Sequence, residues 1–209
     1  MTFVLYVGDK ARSSWSLRPY LALAQTTAAV ETRTIWLDRP AFKAEVAKVS
    51  PAGRVPVLVH DGVAIWDSLA ICEYANELFP AAQLWPADRA QRARARAVAC
   101  EMHSGFAALR RDMSMDLVHD KRGQGHTAEA LADASRVMEI WRDELGRSGG
   151  PFLFGAFTIA DAMFGPVTTR FTTYGVELDA HCRAYVDAVA ALPAFQRWKA
   201  DAQAEVRPG

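Results

Sequence analysis

The sequence has few cysteines, and no motif pairs them. Its 209 residues include three, Cys72, Cys100 and Cys182, with no Cys-x-x-Cys pair and no histidine at zinc-ligand spacing. An odd number of widely separated cysteines excludes a disulfide framework and argues against a dithiol redox site or a metal site. We therefore expect a protein of the reducing cytoplasm that binds no metal.

An excess of charge and a long apolar run are also absent. The 24 basic and 24 acidic residues give a net charge of zero, so no global field attracts nucleic acid or an anionic membrane. No apolar run approaches the roughly 20 residues that span a bilayer, and Met1 to Val4 lack the features of a signal peptide. We expect neither nucleic acid nor a membrane as partner. A run of four arginines shortly before the middle of the chain is expected to form a solvated helix face: Arg89, Arg92, Arg94 and Arg96.

The first eighty residues alternate strand and helix signals. Asp61-Gly62 separates two β-rich runs, and such a pair favours a hairpin because a type I′ turn needs positive φ at both central positions. The resulting order, β-α-β-α-β-β-α, is that of an α/β thioredoxin-like domain, which we assign to residues 1–79. The predicted strands are Phe3–Val7, Thr32–Trp36, Val57–His60 and Val63–Trp66, and the predicted helices are Pro19–Ala29, Ala41–Val49 and Ser68–Leu78.

After a proline-containing linker at 80–88, only helical patterns follow. Residues 89–209 are therefore predicted to form an all-α C-terminal domain that shapes a pocket for a second substrate. Within it, Thr158 and Asp161 have the spacing of a capping box, which predicts a role in folding rather than catalysis. The predicted helices are Ala90–Leu109, Ala128–Leu145, Ile159–Tyr174, Ala180–Ala191 and Ala194–Ala204.

Three short motifs together resemble one enzyme family. The segment from Ser50 to Leu58 reads Ser-Pro-Ala-Gly-Arg-Val-Pro-Val-Leu and is followed by Asp67-Ser68. It resembles the NP-x-G-K-V-P-x-L signature and downstream acidic residue and serine of glutathione S-transferases, with serine and arginine in place of asparagine and lysine. The segment 157–161 resembles the family's capping box, and Arg12–Ser16 is similar to the serine-rich segment of zeta-like and related bacterial classes. The resemblance covers essentially the whole chain.

The resemblance implies glutathione as co-substrate, a homodimer, and a set of residues that bind glutathione. A cis bond at Val55–Pro56 would let the Val55 backbone pair with the cysteinyl part, although Pro56 also reads as an ordinary proline at the start of a strand. Ser68 would hold the γ-glutamyl carboxylate and Asp67 the ammonium group; alternatively Ser68 is only a helix cap. Arg54 could approach the glycyl carboxylate, or it could be a solvated loop residue.

The thiolate of glutathione is expected to meet the serine-rich segment. Because proline belongs in the first turn of a helix, Pro19 predicts an N-cap at about Ser16, which leaves Ser14 as first choice for the activating hydroxyl and Ser13 as second. Tyr6 competes, but its place inside a strand favours packing. Trp15 stands where the zeta-like pattern has a cysteine, which removes a covalent cysteine route.

The second-substrate pocket is predicted beside Trp15, on the first helix of the helical domain. His103, Phe106, Ala107 and Arg110 are spaced i, i+3, i+4 and i+7 and would share one helix face, suited to an electrophile with an apolar body and an acidic or carbonyl group. The alternatives are an interface role for the histidine and a salt bridge between domains for the arginine.

Three further functions stay open at this point. A zeta-like enzyme would add glutathione reversibly to a cis double bond and so catalyse isomerisation. A non-catalytic module would bind glutathione or a partner without shifting the pKa of the thiol. A glutaredoxin-like redox enzyme is disfavoured because no cysteine lies near the start of the first helix. Conjugation of glutathione to small electrophiles is the first hypothesis.

Overall fold

The structure, a computed structural model, describes residues 3–205. Its first part contains β1 (Phe3–Val7), α1 (Ser14–Leu23), β2 (Val30–Thr34), α2 (Phe42–Ala47), β3 (Val57–His60), β4 (Val63–Ile65) and α3 (Ser68–Leu78). Its second part contains α4 (Arg89–Ser104), α5 (Ala107–Asp112), α6 (Ala128–Ser148), α7 (Ile159–Tyr174), α8 (Ala180–Ala190) and α9 (Pro193–Ala204). The predicted fold class, an α/β domain followed by an all-α domain, is confirmed.

The four strands form one mixed sheet in the order β2-β1-β3-β4. Strand β1 pairs parallel with β2 and antiparallel with β3, and β4 closes the sheet as an antiparallel edge. The hairpin is confirmed, since Asp61 and Gly62 have φ values of 47° and 82°. Strand β2 lies at Val30–Thr34 rather than at the predicted Thr32–Trp36, because its partner in the ladder is the short strand Phe3–Val7.

The predicted start of the first helix is wrong. Helix α1 begins at Ser14 and carries Pro19 in its interior, where the missing N–H removes one intrahelical hydrogen bond. The helix continues through this position because packing, rather than propensity, supplies most helix stability in proteins. Leu17 and Leu21 are fully buried, and α1 packs against both α3 and α7.

Helix α7 approaches α1 closely and joins the two halves of the molecule into one core. A Cβ atom at Gly165 would lie 2.7 Å from Leu21 Cδ1, so glycine permits this approach. The linker is packed as well. Pro80–Ala82 forms a 3-10 turn, Leu84 and Trp85 are buried, and the Ile159 N–H donates to the Leu84 carbonyl at 2.8 Å.

The continuous helix predicted over Ala90–Leu109 is also wrong. Helix α4 ends at Ser104, and the chain turns before α5 begins at Ala107. A Cβ atom at Gly105 would lie 2.7 Å from the Glu101 carbonyl oxygen, and Phe106 has a φ of 61°, in the left-handed region. This break changes which residues near the predicted pocket can share a face.

Candidate active site

The residues predicted to bind glutathione lie together in one cleft of about 350 Å³. The cleft opens where the loop before β3 faces the start of α3, and Trp15 of α1 lines it as well. The lining residues are Trp15, Ala52, Arg54, Val55, Pro56, Trp66, Asp67 and Ser68. Sequence reasoning missed two of these residues. Ala52 has no distinctive chemistry, and Trp66 was predicted to be the last residue of a strand, Val63–Trp66.

One wall of the cleft is the loop that ends in the cis peptide bond Val55–Pro56, so the cis alternative is confirmed. Ser50 holds this loop in place. Its hydroxyl donates to the Arg54 carbonyl at 2.7 Å and accepts from the Arg54 N–H at 3.2 Å. The buried serine thus closes the loop through the backbone of Arg54, while the Arg54 side chain is exposed.

The opposite wall is the start of α3, where the predicted serine cap is wrong. The N-cap is Asp67, whose Oδ1 accepts from the Leu69 N–H at 3.0 Å and from the Ala70 N–H at 3.4 Å. Ser68 is the first helical residue, and its hydroxyl is buried without a hydrogen-bond partner among residues 3–205. An unsatisfied buried hydroxyl beside unpaired helix N–H groups is suited to bind an anion.

The three serines of the Arg12–Ser16 segment differ in their hydrogen bonds. Ser13 occupies the N-cap position of α1 but caps no N–H. Its Oγ lies 2.7 Å from Ser16 Oγ, which accepts from the Gly8 N–H at 3.1 Å. Ser16 therefore does not cap α1 as predicted but ties the helix to the end of β1. Ser14 is buried, and its hydroxyl takes no part in the contact between Ser13 and Ser16.

Trp15 connects the cleft to the helical domain. Its ring is stacked by the Arg18 guanidinium at 4.1 Å and by the Arg110 guanidinium at 4.8 Å, and it meets the His103 ring edge-on at 5.3 Å. His103 Nε2 also lies 3.0 Å from Asp67 Oδ2. Residues of α1, α3, α4 and α5 thus meet around one indole ring.

The predicted pocket face is only partly assembled. Arg110 turns back to the end of α4, where its Nε donates to the Gly105 carbonyl at 2.9 Å and its Nη2 donates to the Met102 carbonyl. Such contacts cap the free carbonyls of a helix C-terminus. Phe106 is buried in the core, and Ala107 is exposed at the start of α5, so the expected common helix face of the four residues is wrong.

Sequence reasoning also missed Arg18, which lies behind Trp15. It is fully buried, and none of its three guanidinium nitrogens has a hydrogen-bond partner among the described residues. Burial and the like charges of Arg110 and Arg170 lower its pKa well below the usual value. A signal existed in the sequence, since an arginine stands between the apolar residues Leu17 and Leu21 at i+4 from Ser14.

Other predicted features lie away from the cleft. The Tyr6 hydroxyl accepts from Arg33 Nη1 at 3.4 Å on the face of the sheet next to β2. Two arginines of the run have carboxylate partners: Arg94 pairs with the buried Glu144, and Arg96 Nε lies 3.5 Å from a Glu73 oxygen.

The described residues contain no cluster of three or more metal-ligating side chains. No helix within residues 3–205 combines the length and apolarity that a membrane crossing requires.

Comparison with known proteins gives a consistent result. The family model "Glutathione S-transferase, N-terminal domain" matches residues 12–78, and "Glutathione S-transferase, C-terminal domain" matches residues 124–198. The chain is 29% identical over 198 residues to a probable maleylacetoacetate isomerase of Caenorhabditis elegans, covering 92% of this chain and 90% of that protein. It is 27% identical to maleylacetoacetate isomerase of Rattus norvegicus, with the same coverage of both chains.

Among solved structures, the crystal structure of a glutathione transferase homolog from Burkholderia gl BGR1 with bound glutathione superposes with a TM-score of 0.75. It is 25% identical and covers 98% of this chain and 99% of that one. Two family models thus match the two halves of the chain, and the cleft contains the residues expected to bind the tripeptide. The chain belongs to the glutathione S-transferase family and is a glutathione-dependent enzyme.

Proposed function

We propose that the enzyme binds glutathione in the cleft between Val55 and Ser68, ionises its thiol at the start of α1, and adds the thiolate to a small electrophile that carries an anionic group. The observation on which the proposal rests is the cleft, in which the backbone of Val55, the carboxylate of Asp67 and the free hydroxyl of Ser68 lie together.

Each end of glutathione has a partner in this arrangement. The Val55 backbone pairs with the cysteinyl part as an added β-strand would. The γ-glutamyl carboxylate meets the Ser68 hydroxyl and the positive end of the α3 dipole. Asp67 receives the ammonium group, and the exposed Arg54 guanidinium stands near the glycyl carboxylate.

A hydroxyl of the Ser13–Ser14 pair holds the thiolate. A free thiol has a pKa of about 8.5 and is only a few per cent ionised at pH 7. A hydrogen bond from a serine together with a helix N-terminus can supply the roughly 3 kcal/mol that lowers this pKa by about two units. Ser14 stays first choice because the hydroxyl of Ser13 is already in contact with that of Ser16.

Titration of enzyme-bound glutathione tests this step. The ultraviolet absorbance of the thiolate is followed against pH in the wild type, Ser14→Ala, Ser13→Ala and Ser104→Ala, the last as a matched control because the Ser104 hydroxyl donates within α4. We expect Ser14→Ala to raise the pKa of the bound thiol by about one unit. A shift in Ser13→Ala alone would assign the role to Ser13. An ordinary thiol pKa in the wild-type complex would instead leave a non-catalytic binding module.

The second substrate lies beside Trp15, His103 and Arg110. The indole offers an apolar wall, and Arg110 Nη1 is buried without a partner in the described chain, so a carboxylate or carbonyl oxygen of the substrate would satisfy it. Phe106 and Ala107 border this region from the turn between α4 and α5, where the first packs in the core and the second faces solvent.

A second candidate reaction is reversible addition of the thiolate to a cis double bond. The thiolate forms a carbon–sulfur bond while the electron pair of the double bond moves onto the conjugated carbonyl group, and the resulting single bond rotates. The electron pair then re-forms the double bond in the trans geometry and expels the thiolate, so glutathione is regenerated. The names of the two isomerase relatives favour this reaction. Turnover of a maleyl-type diacid without consumption of glutathione supports isomerisation, and turnover of chloronitrobenzene with consumption supports conjugation.

We further propose a cytoplasmic homodimer. The family provides the argument for the dimer, and the need for reduced glutathione, together with three free cysteines, provides the argument for the cytoplasm. Sedimentation equilibrium at micromolar protein tests the dimer, and cell fractionation tests the location.

A further inference from the structure

Arg18 is a buried charge whose three guanidinium nitrogens all lack hydrogen-bond partners among the described residues. A buried guanidinium normally has hydrogen-bonded partners because an unpaired buried charge is costly. Arg18 has none within residues 3–205, although its side chain is fully buried. Its contact is the face of the Trp15 ring, 4.1 Å from the guanidinium carbon.

The surroundings of Arg18 contain more positive than negative charge. Arg110 and Arg170 act on it as like charges, and Asp67 is the neighbouring carboxylate that opposes them. The Cys72 thiol also lies near, but burial raises its pKa and keeps it neutral. Since a guanidinium keeps its proton in proteins, this region has a positive potential that an arriving anion would offset.

The position of Arg18 on α1 directs that potential toward the proposed thiolate. Residues 14 and 18 are spaced i and i+4, so they lie on the same face of the helix. Long side chains on a helix run back toward its N-terminus, and the contact with Trp15 shows that Arg18 does so. Trp15 itself lines the glutathione cleft.

We propose that Arg18 is the buried cation that stabilises the thiolate of bound glutathione, acting through space from behind the Trp15 ring. Arg18 is a positioning residue in this scheme because its nitrogens do not reach the cleft. The inference rests on the proposed function, since it supplies part of the stabilisation that the serine hydroxyl and the α1 N-terminus provide. At an effective dielectric constant of about 20, a unit charge separated from a thiol by one layer of side chains shifts the thiol pKa by about one unit.

The test compares Arg18→Met, which removes the charge at similar volume, with Arg18→Lys, which retains it. The pKa of the glutathione thiol is measured in each complex by thiolate absorbance. We expect Arg18→Met to raise this pKa by about one unit and Arg18→Lys to stay near the wild-type value. Should Arg18→Met fail to fold, Arg18→Gln provides the same comparison.

A second measurement avoids titration. Glutathione sulfonate places a permanent anion where the sulfur would lie, whereas S-methylglutathione places a neutral group there. We expect the ratio of their affinities to fall about tenfold in Arg18→Met and to change little in Arg18→Lys. Equal weakening of both ligands by Arg18→Met would overturn the inference, because it would show that the charge serves a carboxylate of glutathione instead.

The two possible failures are distinguishable. If the wild-type complex shows an ordinary thiol pKa, the proposed function fails and the inference fails with it. If the pKa of the bound thiol lies below its ordinary value in the wild type and equally far below it in Arg18→Met, the inference fails while the proposed function stands. An equal rise in the Met and Lys variants would also overturn it, since that outcome indicates that Arg18 only supports the packing of Trp15.

Discussion

The starts of helices α7 and α3 bury polar groups in opposite ways. At α7 the Asp161 carboxylate accepts from the Leu153 N–H at 3.0 Å, the Thr158 N–H at 2.8 Å and the Thr158 hydroxyl at 2.9 Å. At α3 the buried Ser68 hydroxyl has no partner in the described chain. The same holds for the guanidinium of Arg18 on α1, the helix that packs against α3. At α7 the buried carboxylate has its hydrogen-bond donors in place, whereas at α3 and α1 a buried hydroxyl and a buried guanidinium have no partner among the described residues.

This difference separates structural from functional polar groups. A buried donor or acceptor without a partner costs stability, so an unpartnered group at the wall of a cleft is a candidate to be satisfied by a ligand. Mutation of Asp161 at the start of α7 should therefore change mainly the free energy of unfolding. Mutation of Ser68 on α3 or of Arg18 on α1 should change mainly the affinity for the ligand or the pKa of its thiol.

The largest effect is expected for Asp161→Ala. The change leaves the N–H groups of Leu153 and Thr158 buried without acceptors, and each such group costs about 1–3 kcal/mol. We expect the free energy of unfolding in urea to fall by about 3 kcal/mol or more, with glutathione affinity of the folded protein unchanged. Asp161→Asn is the control, because it keeps one oxygen acceptor and should lose less.

The pH dependence of stability gives the next effect. Burial raises the pKa of Asp161 to about 6, above its ordinary value of about 3.9. Because the folded state then binds the proton more tightly, this contribution to stability is complete below about pH 4 and is lost as pH rises toward 6. Relative to Asp161→Asn, the wild type should lose on the order of 3 kcal/mol between pH 4 and pH 7. A parallel pH profile of the two proteins would contradict the buried carboxylate as its source.

Ser68→Ala should show the opposite behaviour to Asp161→Ala. Removing an unpartnered hydroxyl breaks no hydrogen bond in the free protein, so unfolding should change by less than about 1 kcal/mol. Loss of a hydrogen bond to the γ-glutamyl carboxylate should weaken glutathione binding roughly 10- to 100-fold, as measured by calorimetry. Ser104→Ala is the control, since the Ser104 hydroxyl is exposed and donates within α4. A large loss of stability in Ser68→Ala would contradict the distinction drawn between the start of α7 and the start of α3.

Local signals explain what could be predicted from the sequence. The Asp61-Gly62 turn and the capping box at Thr158 and Asp161 each depend on residues adjacent or nearly adjacent in the chain, whereas the cis bond at Val55–Pro56 was expected from the family resemblance. The cap of α3 shows the limit of such reasoning. Aspartate and serine both cap helices well, and only the backbone geometry at Asp67 decides between the two neighbours.

Contacts between distant segments account for the errors. Pro19 favours a late helix start by local rules, yet the packing of α1 on α3 and α7 holds an earlier one. The contact of His103 with Asp67 joins residues from the two halves of the chain, and the stack of Arg18 and Arg110 on Trp15 does the same. The periodicity of one helix carries no information about contacts between different helices. The sequence therefore predicted which residues belong to the site but not how they are arranged in space.

The smallest effect is expected for Thr127→Ala, which sharpens the comparison with a cap that is complete but exposed. Thr127 Oγ1 accepts from the Ala130 N–H at 3.2 Å at the start of α6 and donates to Asp112 Oδ2 at 2.6 Å. Water can replace both partners when the hydroxyl is removed, so we expect a loss of about 1 kcal/mol in urea unfolding. Thr127→Ser keeps the hydroxyl and should restore most of it. A loss as large as that of Asp161→Ala would mean that the presence of a cap, rather than its burial, sets the cost, and the unpartnered hydroxyl of Ser68 would then need another explanation.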